Sequence, residues 1–330
     1  MQFVIYALLA GIGLSAVIAP LSLKILRSIR VGQPIYSYVG QHEGKKGTPT
    51  MGGIVFILPL LIFYAAFGLY EYASVNVFVL SVSAYAVIGF LDDFIKVRFN
   101  DNQGLKPYQK IIGQLLVAIG VAFLAYYSRS IGSALYIPVA DVYIELGWWY
   151  VPFTALVYVA ATNAVNLTDG LDGLSASSSI TYLGIFEIII LIAYRGALDG
   201  GDVFMSAEYK GLATVTALLI GSLGVFLVLN TNRALVFMGD TGSLALGAAV
   251  ASVGVVTHTS VLIPLVGAVF VWSAVSVILQ VAVYKLTKKR IFLMTPFHHH
   301  LELKGFSEAK ISFLYALITF TSGLVAILIL

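Results

Sequence analysis

Cysteine is absent from the 330 residues, and charged residues make up only 11% of them. Without cysteine the chain has no disulfides and no thiolate chemistry. Soluble domains carry about 25% charged residues. With 59% hydrophobic residues and a mean hydropathy of +0.95, this composition excludes an ordinary soluble protein. It predicts an integral membrane protein that crosses the bilayer several times.

A membrane-spanning helix needs about 20 predominantly apolar residues. The hydrophobic runs predict an all-α polytopic protein that forms a single membrane domain over residues 1–330, with about ten spans. The first run carries its positive charges after it, which favours an uncleaved helix over a signal peptide. The predicted spans are 3–25, 51–70, 75–92, 109–128, 148–165, 174–194, 211–230, 242–257, 260–284 and 311–330.

Lysine and arginine set the predicted orientation, because they concentrate in cytoplasmic loops. An outside N-terminus places 16 of the 19 Lys and Arg residues in or beside inside loops. The outside then keeps only Arg129, Arg195 and Lys210. Ten spans return the C-terminus to the outside. Alternating apolar and polar residues also predict a short outside β-hairpin near 134–146.

Residues 163–174 read Asn-Ala-Val-Asn-Leu-Thr-Asp-Gly-Leu-Asp-Gly-Leu and lie between two strongly apolar runs. Asn166, Asp169 and Asp172 are three residues apart, so within a helix they would lie on one face. The neighbouring glycines remove bulk and would let a ligand approach the backbone. A polar turn rich in Asp and Gly is the alternative interpretation.

Asp92 and Asp93 end another apolar run. Adjacent helical residues point about 100° apart, so we expect one to face a site while the other makes a structural bond or a second contact. A solvated helix end is the alternative. Lys96, one turn later, is either an ion-pair partner of Asp92 or a phosphate ligand.

Asp240 lies among small residues in Phe-Met-Gly-Asp-Thr-Gly-Ser, residues 237–243. Mg²⁺ prefers oxygen ligands from one or two carboxylates, phosphates and water. The spacing therefore predicts that Asp240 binds Mg²⁺ beside a helix start that favours anions. An Asp N-cap of that helix is the alternative.

Three consecutive histidines, His298 to His300, follow a basic segment. Zinc is disfavoured because successive side chains diverge and no cysteine or second histidine cluster stands at ligand spacing. The tract instead predicts a cationic or hydrogen-bonding cradle for phosphate, with a structural role as the alternative. Together with the acids, it predicts an inside-facing pocket for an anionic, phosphorylated substrate. Because this pocket would lie at the membrane surface, we expect one of the substrates to be a lipid.

These motifs, in this order, resemble the phospho-N-acetylmuramoyl-pentapeptide transferases, a bacterial branch of the polyprenyl-phosphate N-acetylhexosamine-1-phosphate transferase superfamily. The matching segments are 47–53, 91–94, 163–174, 237–243 and 296–300. The resemblance implies ten spans with both termini outside, a cytoplasmic active site in the bacterial plasma membrane, and a homodimer. It implies transfer of phospho-MurNAc-pentapeptide from its UDP carrier to undecaprenyl phosphate with Mg²⁺, giving lipid I and UMP.

Motifs and resemblance together predict the residues of the site. The predicted catalytic residues are Asp92, Asp93, Asp240 and His298, with Asp240 as the metal ligand. The predicted substrate-binding residues are Lys45, Thr50, Lys96, Lys106, Asn166, Asp169, Asp172, Asn230, Phe237, His299 and His300. Alternatives are the related GlcNAc-1-phosphate transferases and an ion-coupled transporter, whose acids would lie near the midplane of repeated halves.

Overall fold

The computed structural model describes residues 1–28, 47–99, 104–231 and 233–330. Within these ranges the chain forms helices joined by short connections and one small β-hairpin. The helices are α1 Gln2–Ser28, α2 Ile54–Ala66, α3 Ala73–Phe99, α4 Pro107–Tyr127, α5 Tyr150–Thr168, α6 Leu174–Asp199, α7 Val203–Asn230, α8 Gly239–Val256, α9 Ile263–Val266, α10 Ala268–Thr287, α11 Phe297–Leu303 and α12 Glu308–Leu328.

In the described part of the chain, nine helices are long and apolar enough to cross a membrane. They are α1, α3 to α8, α10 and α12. The protein is thus a multi-pass all-α membrane protein, which confirms the predicted fold class. The run predicted as the span 51–70 forms only the 13-residue helix α2. At 1.5 Å per residue this helix is about 20 Å long, shorter than the hydrocarbon core of a bilayer.

Helix α8 lies at the centre of the bundle, and every residue of it except Asp240 is buried. Many of its residues are Gly, Ala or Ser, so neighbouring backbones approach closely. Gly247, for example, faces the Cα of Thr162 on α5. Hydroxyl groups also link the central helices, because Ser252 Oγ lies 2.7 Å from Ser81 Oγ on α3 and 2.8 Å from Tyr158 Oη on α5. Close packing of small residues and hydrogen bonds between hydroxyl groups commonly hold helices together in lipid.

A second close crossing joins α1 and α7. The buried face of α1 is a stripe of small residues at four-residue spacing that includes Ala7, Gly11 and Ser15. Gly11 lies against the backbone of Leu218, and Gly221 lies against the backbone of Leu8, so a methyl group at either glycine would collide. The buried residues of α1 are all uncharged, so this crossing serves packing.

The predicted hairpin is present. Strand β1, Ala134–Ile137, pairs antiparallel with β2, Val142–Glu145, and Tyr136 stands opposite Tyr143. The hairpin is fastened to the bundle by Tyr136 N–H, which donates to His258 O at 2.9 Å. The hairpin lies between α4 and α5. All the sequence motifs lie at the opposite helix ends, so they share one end of the bundle.

Candidate active site

Asp92, Asp93 and Asp240 form a cluster, called here the acid cluster, with one oxygen of each within 4.8 Å of the others. Asp92 and Asp93 lie on α3, and Asp240 lies in the first turn of α8. Gly89, one turn earlier on α3, allows this approach, because a Cβ there would collide with the Asp240 carbonyl. Three carboxylates held this closely require positive charge nearby.

Two lysines supply that charge. Lys96 Nζ lies 2.6 Å from Asp92 Oδ2 and 2.7 Å from Asp240 Oδ2. Lys110 Nζ, from α4, lies 2.8 Å from Asp240 Oδ2 and 3.7 Å from Asp92 Oδ2. Three carboxylates and two ammonium groups leave one formal negative charge. The Asp92–Lys96 ion pair, one of the two roles that the sequence leaves open for Lys96, is present and extends to Asp240.

Asp93 has a different position from its neighbour Asp92. Its carboxylate accepts hydrogen bonds from Asp240 N at 3.1 Å and from Thr241 N and Oγ1 at 2.9 and 2.7 Å. Asp93 thus caps the N-terminus of α8 from another helix, where N–H groups and the helix dipole favour an anion. Asp240 lies inside the first turn, so the alternative in which Asp240 is the N-cap is wrong.

The orientation of Asp240 is fixed from its other side by Asn166. Asn166 Nδ2 donates to Asp240 Oδ1 at 2.6 Å and to Ser243 Oγ at 2.7 Å. One turn deeper, Asn163 Nδ2 donates to Gln114 Oε1 at 2.6 Å, which ties α5 to α4. Asp240 therefore presents oxygens that are positioned by three helices.

The segment 163–174 does not place its three polar residues on one helix face. Asn166 lies in α5, which ends at Thr168, whereas Asp169 and Asp172 lie in the turn before α6. The turn closes at Gly173, whose φ of +75° favours glycine. Removal from water, and after it the neighbouring carboxylates with Asp240 foremost, raise the pKa of Asp169 to about 8.

Asp172 and Asn230 hold connecting segments together. Asp172 Oδ2 accepts from Ala234 N at 3.1 Å, and Asp172 N donates to a carboxylate oxygen of Glu308 at 2.9 Å. Asn230 Oδ1 accepts from Gly173 N at 2.9 Å, and its Nδ2 donates to Val236 O at the same distance. These bonds give both residues a place in the site's framework. Their predicted contacts with substrate stay predictions.

The three histidines do not all diverge as the sequence predicts, because Nε2 of His298 and Nε2 of His299 both approach Gly170. His298 is fully buried against Gly170, and neither ring nitrogen has a hydrogen-bond partner among the described residues. His299 Nδ1 lies 2.9 Å from Glu302 Oε2. His300 Nδ1 accepts from Leu293 N at 3.1 Å. Burial, and next His299, lower the pKa of His298 to about 3, so its ring is neutral at pH 7.

Thr50 and Phe237 lie where the segment before α2 meets the segment before α8. Phe237 N donates to Pro49 O, and Gly52 N donates to Phe237 O, both at 2.8 Å. Thr50 is buried, and its hydroxyl has no partner among the described residues. Phe237 is half-buried, which leaves part of its ring accessible. The predicted substrate residue Lys45 lies outside the described residues.

Lys110, for which the sequence indicates no role, enters the acid cluster, whereas Lys106 does not. Lys106 precedes α4, is exposed, and makes no ion pair with a described residue. Lys110 enters the acid cluster because it lies four residues before Gln114, the first residue of the buried face of α4. Pro107 at the start of α4 is the signal that sets this helical phase.

The acid cluster is the only set of three or more potential metal ligands of the His, Cys, Asp and Glu types within the described ranges. Its donors are all carboxylate oxygens, which suit a hard divalent cation. His298, His299 and His300 are not part of such a set within these ranges. The arrangement therefore offers a cation site beside two lysines at a helix start, a combination that suits phosphate chemistry.

Comparison with known proteins agrees with this chemistry. The model of glycosyl transferase family 4 matches residues 75–258, so the chain is of that class. Residues 45–57 match the signature of the phospho-N-acetylmuramoyl-pentapeptide-transferases. Proteins of that name are similar over nearly the whole chain. One from Desulfitobacterium hafniense is 40% identical over 96% of this chain and 94% of its own length.

A relative from Clostridium novyi is 37% identical over 97% of this chain and 94% of its own length. Another, from Halalkalibacterium halodurans, is 37% identical over 94% of this chain and 92% of its own length. Both carry the same name. The chain therefore belongs to the phospho-N-acetylmuramoyl-pentapeptide-transferase family.

Proposed function

We propose that this protein transfers phospho-MurNAc-pentapeptide from UDP-MurNAc-pentapeptide to undecaprenyl phosphate, giving lipid I and UMP for peptidoglycan synthesis. The acid cluster with its two lysines carries this proposal, since it joins a cation site to phosphate-binding groups at the end of membrane-spanning helices. The family membership supports it. We further propose that this end is cytoplasmic and that the protein acts in the bacterial plasma membrane as a homodimer.

In this proposal Asp240 holds Mg²⁺, with Asp92 beside it and Asp93 supporting the helix start. A bound Mg²⁺ would offset negative charge on the diphosphate. The carboxylates of the acid cluster fit that ion because their oxygens already converge. Lys96 and Lys110 would then bind phosphate oxygens, and the turn of Asp169 and Asp172, with Phe237, would bind the uridine.

The chemical step follows from the acceptor. A phosphate monoester has a second pKa near 6 and is largely dianionic at pH 7, so it needs positioning more than activation. An acceptor oxygen attacks the sugar-bearing phosphorus in line, the bond to the bridging oxygen breaks, and UMP leaves. Asp92 orients the acceptor or takes its remaining proton. The neutral ring of His298 and its neighbour His299 would contact the sugar phosphate.

The test measures UMP and lipid-linked product from purified protein supplied with both substrates, with and without Mg²⁺. Asp240→Asn should lose turnover by more than a hundredfold, since it removes a charge from the cation site. Asp199→Asn, at an exposed acid on α6, is the matched control and should keep full activity. Absence of lipid-linked product from the wild type would refute the proposed function.

A second experiment separates direct attack from a covalent route. Enzyme is incubated with labelled UDP-MurNAc-pentapeptide and no lipid. Direct attack predicts no stoichiometric release of UMP. Release of one UMP per enzyme, with label retained on an aspartate, would establish an aspartyl intermediate instead.

A further inference from the structure

Gln114 on α4 is a fully buried amide that the proposed reaction does not use. Its Oε1 accepts a hydrogen bond from Asn163 Nδ2 on α5 at 2.6 Å, and its backbone carbonyl accepts one from Tyr85 Oη on α3 at 3.0 Å. Asn163 Nδ2 also donates to Val159 O at 2.8 Å, so two carbonyl oxygens hold the Asn163 amide. Gln114 therefore connects three of the membrane-spanning helices at one point.

Glutamine is a costly residue at this position. Its Nε2 has no hydrogen-bond partner among the described residues. A buried donor without a partner destabilises a fold, whereas a leucine has a similar volume and would bury apolar surface alone. Packing of α4 would therefore favour leucine. The particular contribution of the glutamine is its hydrogen bond to Asn163, which a leucine could not make.

The Gln114–Asn163 bond lies one helical turn from the acid cluster on both helices. Lys110 precedes Gln114 by four residues on α4, and Asn166 follows Asn163 by three residues on α5. Helical residues at these spacings are neighbours on one face, about 5–6 Å apart. The two side chains that reach Asp240 from α4 and α5 therefore each lie next to a member of the bonded pair.

Lys110 and Asn166 bind the two oxygens of the Asp240 carboxylate. Lys110 Nζ lies 2.8 Å from Asp240 Oδ2, and Asn166 Nδ2 donates to Asp240 Oδ1 at 2.6 Å. The orientation of this carboxylate consequently depends on the separation of α4 and α5. The flexible four-carbon stem of a lysine cannot fix that separation. A direct hydrogen bond between the two helices can.

We propose that Gln114 and Asn163 are positioning residues for the transfer reaction. Their hydrogen bond fixes the distance between α4 and α5 and thereby holds the Asp240 carboxylate in the orientation that the acid cluster needs. They act through Lys110 and Asn166 and not by contact with substrate. This inference rests on the proposed function and adds two residues to it.

The main test is Gln114→Leu, which removes the bond to Asn163 together with the unpaired Nε2. We expect kcat to fall about tenfold, because reacting groups must be held to within about 0.5 Å. KM for UDP-MurNAc-pentapeptide and for polyprenyl phosphate should each change less than twofold, since neither substrate touches Gln114. The midpoint of thermal unfolding should stay the same or rise, because no buried donor is left unpaired.

The matched control removes an amide that joins two other helices. Asn76 lies near the start of α3, at the end opposite to Asp92, and its Oδ1 accepts from Tyr64 Oη on α2 at 2.7 Å. Asn76→Leu should lower the unfolding midpoint and keep kcat within about twofold. The two variants thus separate loss of a helix contact from loss of positioning.

A double-mutant cycle shows whether Gln114 and Asn163 act through one bond. Asn163→Ala alone should also lower kcat about tenfold, and the double variant Gln114→Leu/Asn163→Ala should lose no more than either single variant. Losses that multiply to about a hundredfold would overturn the proposal. Asn163→Ala also provides the kcat measurement should Gln114→Leu fail to fold.

The remaining outcomes are distinct. Unchanged kcat in folded Gln114→Leu or Asn163→Ala would overturn the positioning role while leaving the transfer reaction intact. A raised KM for one substrate at unchanged kcat would place the pair in a binding site and overturn it as well. A wild type that forms no lipid-linked product would instead refute the proposed function.

Discussion

The α1–α7 and α3–α8 crossings share one structural feature, but they serve different purposes. In both, a glycine brings one helix onto the backbone of another, at Gly11 in the first and at Gly89 in the second. The α1–α7 crossing is lined by small uncharged residues and holds the scaffold together. The α3–α8 crossing is followed within one turn by Asp92 and Asp93. Close approach alone therefore gives packing, and it gives a reactive centre only where the next turn carries charge.

The strongest test of this comparison replaces each glycine by alanine. Gly89→Ala should lower turnover a hundredfold or more, because displacing α3 from α8 by about 1 Å separates the carboxylates. Gly11→Ala should mainly lower thermal stability, by about 1–3 kcal/mol through overpacking. Gly120→Ala, with open space around its Cα, is the control for both. Equal loss of activity in Gly89→Ala and Gly11→Ala would remove the distinction.

The next test removes one lysine from the acid cluster. Lys110→Met should reduce turnover about a hundredfold, because the carboxylates and the bound phosphates lose a preorganised cation. Lys304→Met, at an exposed lysine at the same end of the molecule, should change turnover less than twofold. The measurement is the rate of UMP release at saturating substrates. Near-normal turnover of Lys110→Met would show that Lys96 alone suffices.

The pH dependence of stability tests the burial of His298. Its folded-state pKa is about 3, below the ordinary 6.5, so between these values the unfolded state binds the extra proton. Stability is therefore lost as pH falls from about 6.5 toward 3, by up to about 1.4 kcal/mol per pH unit. His298→Phe should remove this contribution. Thermal unfolding in detergent at a series of pH values measures it, and identical slopes for the two proteins would contradict it.

The smallest expected effect comes from two buried glutamates of the scaffold. Glu187 on α6 has no partner for either carboxylate oxygen among the described residues, whereas Glu208 on α7 accepts from Ala73 N and Ser74 N at 3.1 and 2.8 Å. Glu187→Gln should raise stability by about 1 kcal/mol, because an unpaired buried acid is costly. Glu208→Gln should lower it by a similar amount. Changes of the same sign would contradict this contrast.

Much of the fold and the centre of the site could be predicted because both depend on local patterns. Apolar runs predicted the membrane helices, and the alternation of apolar and polar residues predicted the hairpin. Acids at the ends of apolar runs announced the cluster of Asp92, Asp93 and Asp240. The positions of single polar residues could not be predicted where they depend on the residue at which a helix begins or ends. Asp169 and Asp172 lie outside a helix because α5 stops at Thr168, and the role of Lys110 was missed because it depends on where α4 begins, at Pro107. The substrate contact of Lys106 stays a prediction.

Partnerships between distant segments escaped prediction for another reason. Asp93 bonds the start of α8 at Asp240, 147 residues later, and Asn166 bonds Asp240, 74 residues later. Both bonds could be predicted only if the packing of these helices were already known. No periodicity within one segment encodes which backbone N–H a carboxylate will meet. Asp172 is similar, since its partner Ala234 lies in the segment before α8 and its partner Glu308 is the first residue of α12.

The cap that Asp93 places on α8 has a consequence for biogenesis. The ribosome makes Asp93 147 residues before the N–H group of Asp240 that it accepts from. At 5–20 residues per second this delay is roughly 7 to 30 s. During that time α3 is already made, and its acids still lack α8. Until α8 is inserted, the nascent chain must therefore keep these carboxylates near water or beside a temporary cation. The active site can form only when α8 packs against α3.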